Sequence, residues 1–283
     1  MKFSEYLKKP FSMAIMILTV LAAALTFLGM VFIVGYILVR GIPHITPRLF
    51  AWKYNSENVS MLPAVINTLY MTFLTLLIAV PLGIFSAVYL AEYAKKGSKL
   101  VRLIRLTAET LSGIPSIVYG LFGFLAFSIA LGWHYSLLSG ALTLAIMVLP
   151  TIMRTTEEAL MAVPDSYREG SFGLGAGKLR TVFKIILPSA MPGIVSGIIL
   201  ATGRITGETA ALIFTAGTVA EVPDSLMSSA RTLAVHMYCL ISEGLYTNQA
   251  YATAVVLLVM VMGINALSDF AARKIAGVQR GDA

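Results

Sequence analysis

One stretch of the sequence joins strong acid–base chemistry to an apolar setting: Gly203-Arg204-Ile205-Thr206-Gly207-Glu208-Thr209. On a continuous helix Arg204 and Glu208, four residues apart, are neighbours on one face. A guanidinium presents a planar fork of donors that suits a tetrahedral oxyanion. A carboxylate beside it neutralises the empty site and accepts a proton from a protonated oxyanion. An ionisable group at mid-membrane depth costs at least ~2.5–3.5 kcal/mol, so it reads as functional by default. The same pair also reads as a self-neutralising lock between two helices. Gly203, Gly207 and Ala211 form a small-residue stripe on which another helix can pack.

The chain that positions this pair is strongly apolar. Of its 283 residues, 58% are of the set AVILMFWYC and only 12% are charged, with a mean hydropathy of +0.83. A soluble domain carries about 25% charged residues. An ordinary cytosolic enzyme, a disordered tail and a fibrous repeat are excluded, and an integral membrane protein is implied. Cys239 is the single cysteine, which removes disulfide frameworks and multi-cysteine metal sites. His44, His134 and His236 lie in separate segments without ligand spacing, so no metal is expected.

Six stretches are long enough to cross a ~30 Å hydrocarbon core. They are Phe11–Val39, Leu62–Leu90, Leu111–Leu131, Leu137–Met153, Gly193–Phe214 and Ala250–Ala271. The first follows Lys2, Lys8 and Lys9, but its 29 residues exceed a signal h-region of roughly 7–15, so it is read as a retained span. With both termini inside, segments 1–10, 91–110, 154–192 and 272–283 hold 16 Lys and Arg; the outer segments hold Arg40, Arg48, Lys53 and Arg231. That asymmetry fixes the orientation and accounts for the +7 net charge as inner-leaflet anchoring to lipid, with no nucleic-acid partner. Trp52 and Trp133 fall in outer segments, where indole suits the interface. The fold class is an all-α integral membrane bundle of six helices. Its expected parts are 1–60, the first helix with its outer segment; 61–272, a five-helix core; and 273–283, a cytoplasmic tail.

The inner loop 154–192 is patterned. Val163-Pro164-Asp165 is a helix start. Gly175 and Gly177 supply a stop and a turn. Leu179, Val182, Phe183 and Ile186 then share one apolar face opposite Lys178, Arg180 and Lys184, which describes a short helix lying on the inner interface. Pro188 and Pro192 are expected to end it before the next span. Gly177-Lys178 is no phosphate-binding loop, because Phe172 and Leu179 stand where that motif needs Gly and Ser or Thr. The chain therefore has no nucleotide site of its own.

Glu169-Gly170-Ser171-x3-Gly175-x9-Ile185-x-Leu187-Pro188 resembles the E-A-A-x3-G-x9-I-x-L-P loop of ABC importer permeases. Gly170 and Ser171 replace its two alanines, and Gly170 weakens the helix by up to ~1 kcal/mol. The resemblance implies that the loop, with Leu174 inside it, docks in a cleft of a separate ATPase and transmits its motion. Gly203-Arg204-Ile205-x-Gly207-Glu208-Thr209-Ala210-Ala211-Leu212 resembles the phosphate-specific members of that family, and so does Gly113-Ile114-Pro115-Ser116-Ile117-Val118-Tyr119-Gly120. Leu233-Ala234-Val235-His236-Met237-Tyr238 is closer to the PstA type than to its PstC-type partner.

The resemblance implies a type I importer permease and ATP-driven uptake of inorganic phosphate across a bacterial inner membrane. Its partners are a PstC-type permease, a dimer of ATP-binding subunits holding ATP and Mg, and an external phosphate-binding protein. No cofactor is expected in this chain, which is a transport subunit and not an enzyme. Arg204 and Glu208 correspond to a charged pair in the translocation path. Hydrogen phosphate donates a proton to Glu208, whereas sulfate meets only repulsion. Pro115 interrupts the third span, with Ser116 and Tyr119 facing either the path or a tight packing contact; Thr209 is a further candidate for the path. An ABC permease for sulfate, molybdate or phosphonate is the nearest alternative. An ion-coupled secondary transporter is another, and leaves the loop unexplained.

Overall fold

The computed structural model describes residues 10–95 and 97–281. The chain is helical in this order: α1 (Pro10–Gly41), α2 (Leu62–Val88), α3 (Lys99–Ser112), α4 (Ser116–Gly123), α5 (Leu137–Met161), α6 (Asp165–Gly173), α7 (Lys178–Thr181), α8 (Leu187–Thr206), α9 (Ala210–Thr215), α10 (Leu233–Glu243) and α11 (Thr247–Gly281). Wider π turns extend α2 over Tyr89–Tyr93 and α4 over Phe124–Ala130, and join α7 to α8 over Val182–Ile186.

Five helical segments are long and apolar enough to cross a membrane: Phe11–His44, Leu62–Tyr93, Leu137–Met161, Lys178–Thr206 and Thr247–Phe270. A sixth arises if Lys99–Ser112 and Ser116–Ala130, bent by 104°, count as one span. The residues expected as a tail, 273–283, continue α11 as far as Gly281, while 1–9 and 282–283 of the expected inner termini lie outside the described residues.

α5 is the hub. Ala141, Leu144, Met147, Val148 and Ile152 are fully enclosed on it. The facing stripe of α2 repeats every four residues: Asn67, Met71, Thr75, Ala79, Gly83 and Ala87 are all buried. Small side chains there let the two backbones close up. A Cβ on Gly83 would lie 2.7 Å from Ile152. Gly193 and Gly197 of α8 meet Ala159 and Thr155 of α5 in the same way. α1 stands apart: Gly41 and Tyr36 hold it to Tyr251 of α11, and the residues from Leu18 to Ile33 are exposed around its whole circumference. A helix apolar on every side with no protein around it is one that faces lipid.

Candidate translocation and coupling sites

The expected fifth span is broken within the pair it carries. α8 ends at Thr206 and α9 starts at Ala210, leaving Gly207, Glu208 and Thr209 between them. Glycine favours the break, and local bonds complete it. Thr206 Oγ1 donates to the carbonyls of Thr202 and Gly203, and the Glu208 carboxylate accepts the Ala211 N–H at 3.1 Å. Glu208 is thus buried at 9% exposure with its carboxylate on the first turn of α9, not seated one turn above Arg204 on a continuous helix. Among the described residues no ion pair joins Arg204 to Glu208, and Arg204 has no carboxylate partner. This corrects the expectation of adjacent, mutually neutralising charges; the helix break is its physical cause.

The third span is broken too. Gly113, Ile114 and Pro115 separate α3 from α4, and Pro115 caps α4. The Tyr119 hydroxyl bridges the gap by donating to the Leu111 carbonyl at 2.7 Å. Tyr119 is buried and lies within electrostatic reach of Arg204. Ser116 is half-buried at the first turn of α4, and Thr209 is half-buried in the α8–α9 gap, its hydroxyl 3.4 Å from the Gly207 carbonyl. The two breaks meet where a Cβ on Gly120 would lie 2.8 Å from Ala211 Cα. Of the expected small-residue stripe only Ala211 makes such an approach to another helix; Gly203 meets nothing and Gly207 only a carbonyl of its own helix. Non-helical backbone at membrane depth survives only inside protein or against a water-filled cavity. An uncompensated guanidinium beside two such breaks can bind an anion.

At the opposite end, Pro164 starts α6 and Gly175, at φ +81°, ends it in the left-handed region, as expected from the sequence. The second half of the loop differs from expectation. α7, the Val182–Ile186 turn and α8 form one continuous span, Lys178–Thr206, that runs through Pro188 and Pro192. Pro188 follows directly after the wide Val182–Ile186 turn, whose altered bonding ladder accommodates the missing N–H. The segment therefore descends into the bundle: Val182 and Ile186 are buried, while Leu179 is exposed.

This placement divides the motif residues. Ile185, Leu187 and Pro188 are half-buried, the first two packed in the apolar cluster around Leu160 and Ile194. Ser171 is buried and hydrogen-bonded to Thr181 at 2.8 Å, so it ties α6 to α7 and does not face outward. Glu169, Gly170 and Leu174 are exposed; Leu174 stands 90% exposed at the tip, with Tyr167 and Phe172 beside it. A Cβ on Gly170 or Gly175 would meet nothing.

Arg168, which the motif passes over, anchors the loop. Its guanidinium bonds Glu92 at 2.6 Å, Asp165 at 3.1 Å, and the carbonyls of Leu160 and Val163 at 2.9 and 2.8 Å. Glu92, its side chain 8% exposed, lies in the turn that extends α2, and Leu160 lies in α5. These partners hold the Arg168 guanidinium charged even more firmly than usual. One side chain thus binds α6 to two core helices. The only sequence signal for it is an acid at the end of one span and an arginine 76 residues later.

A third arginine is buried at the outer end. Arg231 is 9% exposed, donates to the Thr218 carbonyl at 2.7 Å, stacks on Tyr54 and lies 3.4 Å from His236 Nδ1. Enclosure and this cation push the His236 imidazole down to about 4.

The family described as "binding-protein-dependent transport system inner membrane component" matches residues 79–277. The probable ABC transporter permease protein YqgI of Bacillus subtilis is 36% identical over 80% of this chain and 81% of its own length. The phosphate transport system permease protein PstA of Mycobacterium leprae is 31% identical over 83% of this chain and 80% of its own length. A chain of a bacterial alginate ABC transporter shares the fold, with a TM-score of 0.69 and 16% identity over 98% of this chain and 99% of that one. The chain is a member of the binding-protein-dependent transport system inner membrane component family.

Proposed function

We propose that this chain is the permease subunit of an ATP-driven importer for inorganic phosphate. The observation that carries the reading is the likeness to a phosphate transport permease across 83% of the chain, together with an arginine that has no carboxylate partner among the described residues, at the meeting of two span breaks. The anion arrives from an external binding protein and is held by the Arg204 fork on its way between this chain and a PstC-type partner. Ser116, Tyr119 and Thr209 line or support that passage. ATP and Mg are held by a dimer of separate ATP-binding subunits, which receive α6. Both termini and α6 face the cytoplasm. Closure of the ATPase pushes on Leu174 and Tyr167, and the Arg168–Glu92 link carries that push into α2 and α5.

Glu208 supplies substrate choice. The carboxylate oxygen not taken by the Ala211 N–H accepts a hydrogen bond from the P–OH of hydrogen phosphate and repels sulfate, which carries no proton near neutral pH. Competition of sulfate, molybdate and phosphonate against radiolabelled phosphate tests both points. Phosphate alone should compete with wild type, and Glu208→Gln should lose the discrimination. Normal phosphate uptake with sulfate still excluded in Glu208→Gln would remove this role. Preferred competition by another oxyanion would reassign the cargo.

A further inference from the structure

α3 separates two unlike spaces. On one side a 490 Å³ cavity against α5 is lined by Arg105, Glu109, Ser112, Arg154, Glu157 and Glu158. On the other a 640 Å³ groove against α2 and α5 is lined by Phe85, Tyr89, Leu103, Ile104, Leu111 and Met153. The first carries charged side chains beside apolar ones such as Ala108, Pro150 and Met161. The second is apolar, and Phe85, Tyr89 and Leu103 on its walls are at least half exposed. A 104° bend turns α3 away from the line of α4, and the Arg105–Glu157 ion pair clamps α3 to α5.

The groove has a basic mouth. Lys99 lies one turn before Leu103 on the same helix face. Lys178 Nζ sits 4.9 Å over the ring of Tyr93, one turn beyond Tyr89. Lys95 is exposed in the connection between α2 and α3. Glu92, the acid in that stretch, is taken up by Arg168. Among the described residues, none of the three lysines has an ion-pair partner.

We propose that this groove binds an anionic phospholipid, with an acyl chain against Leu103, Ile104 and Phe85 and the headgroup phosphate on Lys99 and Lys178. A basic amphipathic helix in the membrane plane has this chemistry, and the volume falls within the ~300–1,000 Å³ of small-ligand pockets. The leaflet assigned, the inner one, rests on the orientation proposed above; labelling of a Ser166→Cys variant from each side of the membrane reports that orientation independently.

The test uses the assembled transporter in phosphatidylcholine vesicles containing a trace of either phosphatidylglycerol or phosphatidylcholine with a photoactivatable acyl chain. Phosphatidylglycerol should label residues 85–111 in preference to phosphatidylcholine. Each of Lys99→Ser and Lys178→Ser should reduce that preference by about fivefold. Leu103→Trp should abolish groove labelling by both lipids. Unchanged labelling of the exposed face of α1 shows in each variant that the protein is intact. Equal labelling of the groove by the two lipids would overturn the proposal, as would none, the result expected if a helix of the second permease fills it.

Discussion

Arg168 and Arg204 treat the same functional group in opposite ways. Arg168 spends its donors within the chain: on Glu92, on Asp165 and on two carbonyls from α5 and its end. Arg204 has a glutamate four residues away and still makes no ion pair among the described residues, because the helix breaks and turns that glutamate to a backbone N–H. A cation satisfied at home is a mechanical link. A cation left without a counter-charge in an apolar bundle is available to something from outside. The difference underlies the proposal of force transmission at one end of the molecule and anion handling in its middle.

Perturbing each region should give a different failure. The largest effect is expected from Gly175→Glu, which places a charged side chain at a left-handed turn on the proposed docking surface. Phosphate uptake should be lost at normal protein level, with ATP hydrolysis by the assembly no longer stimulated by loaded binding protein. Undiminished uptake would refute the coupling role. Arg168→Ala comes next. It leaves Glu92 enclosed without a partner, which costs about 3–5 kcal/mol. Thermal unfolding should fall accordingly. Removing both charges, as Glu92→Ala with Arg168→Ala, should restore much of the stability without restoring transport. If the double variant transports normally, the link is a structural staple only.

The smallest effect is expected at the outer end. The folded-state pKa of His236, about 4, is below its ordinary value of 6.5. The neutral form is therefore the one that folding favours, and its stabilisation is present above pH 6.5 and lost as pH falls from 6.5 toward 4. The loss is on the order of 3 kcal/mol. His236→Gln should flatten that part of the stability–pH curve while leaving uptake at neutral pH intact. An unchanged curve would place the acid sensitivity elsewhere.

The sequence displays some of this more openly than the rest. Spans are legible because apolar length is a property of single segments, and α6 is legible because Pro164 and Gly175 mark its ends locally. Three features are not. α3 reads as a charged inner connection when Lys99, Arg102 and Arg105 are counted alone; the helical spacing of Val101, Ile104, Ala108 and Leu111 is the local signal of an apolar face, and what that face packs against is not legible. The continuity of Lys178–Thr206 through two prolines depends on the wide turn before Pro188, which no residue type announces. The parting of Arg204 from Glu208 depends on whether Glu208 bonds its helix neighbour or the Ala211 N–H, a competition that spacing alone does not decide. Arg168 is the clearest omission, since its partner is far away in sequence and near only in the fold.

The central claim is that Arg204 holds the transported anion. It is tested most directly by uptake of radiolabelled phosphate at micromolar concentration in cells lacking this chain, complemented with wild type, Arg204→Lys or Arg204→Ala at equal membrane levels. Wild type should restore uptake, Arg204→Lys should restore a small part of it because the charge stays and the planar fork is lost, and Arg204→Ala should restore none. Uptake by Arg204→Ala equal to wild type would contradict the account.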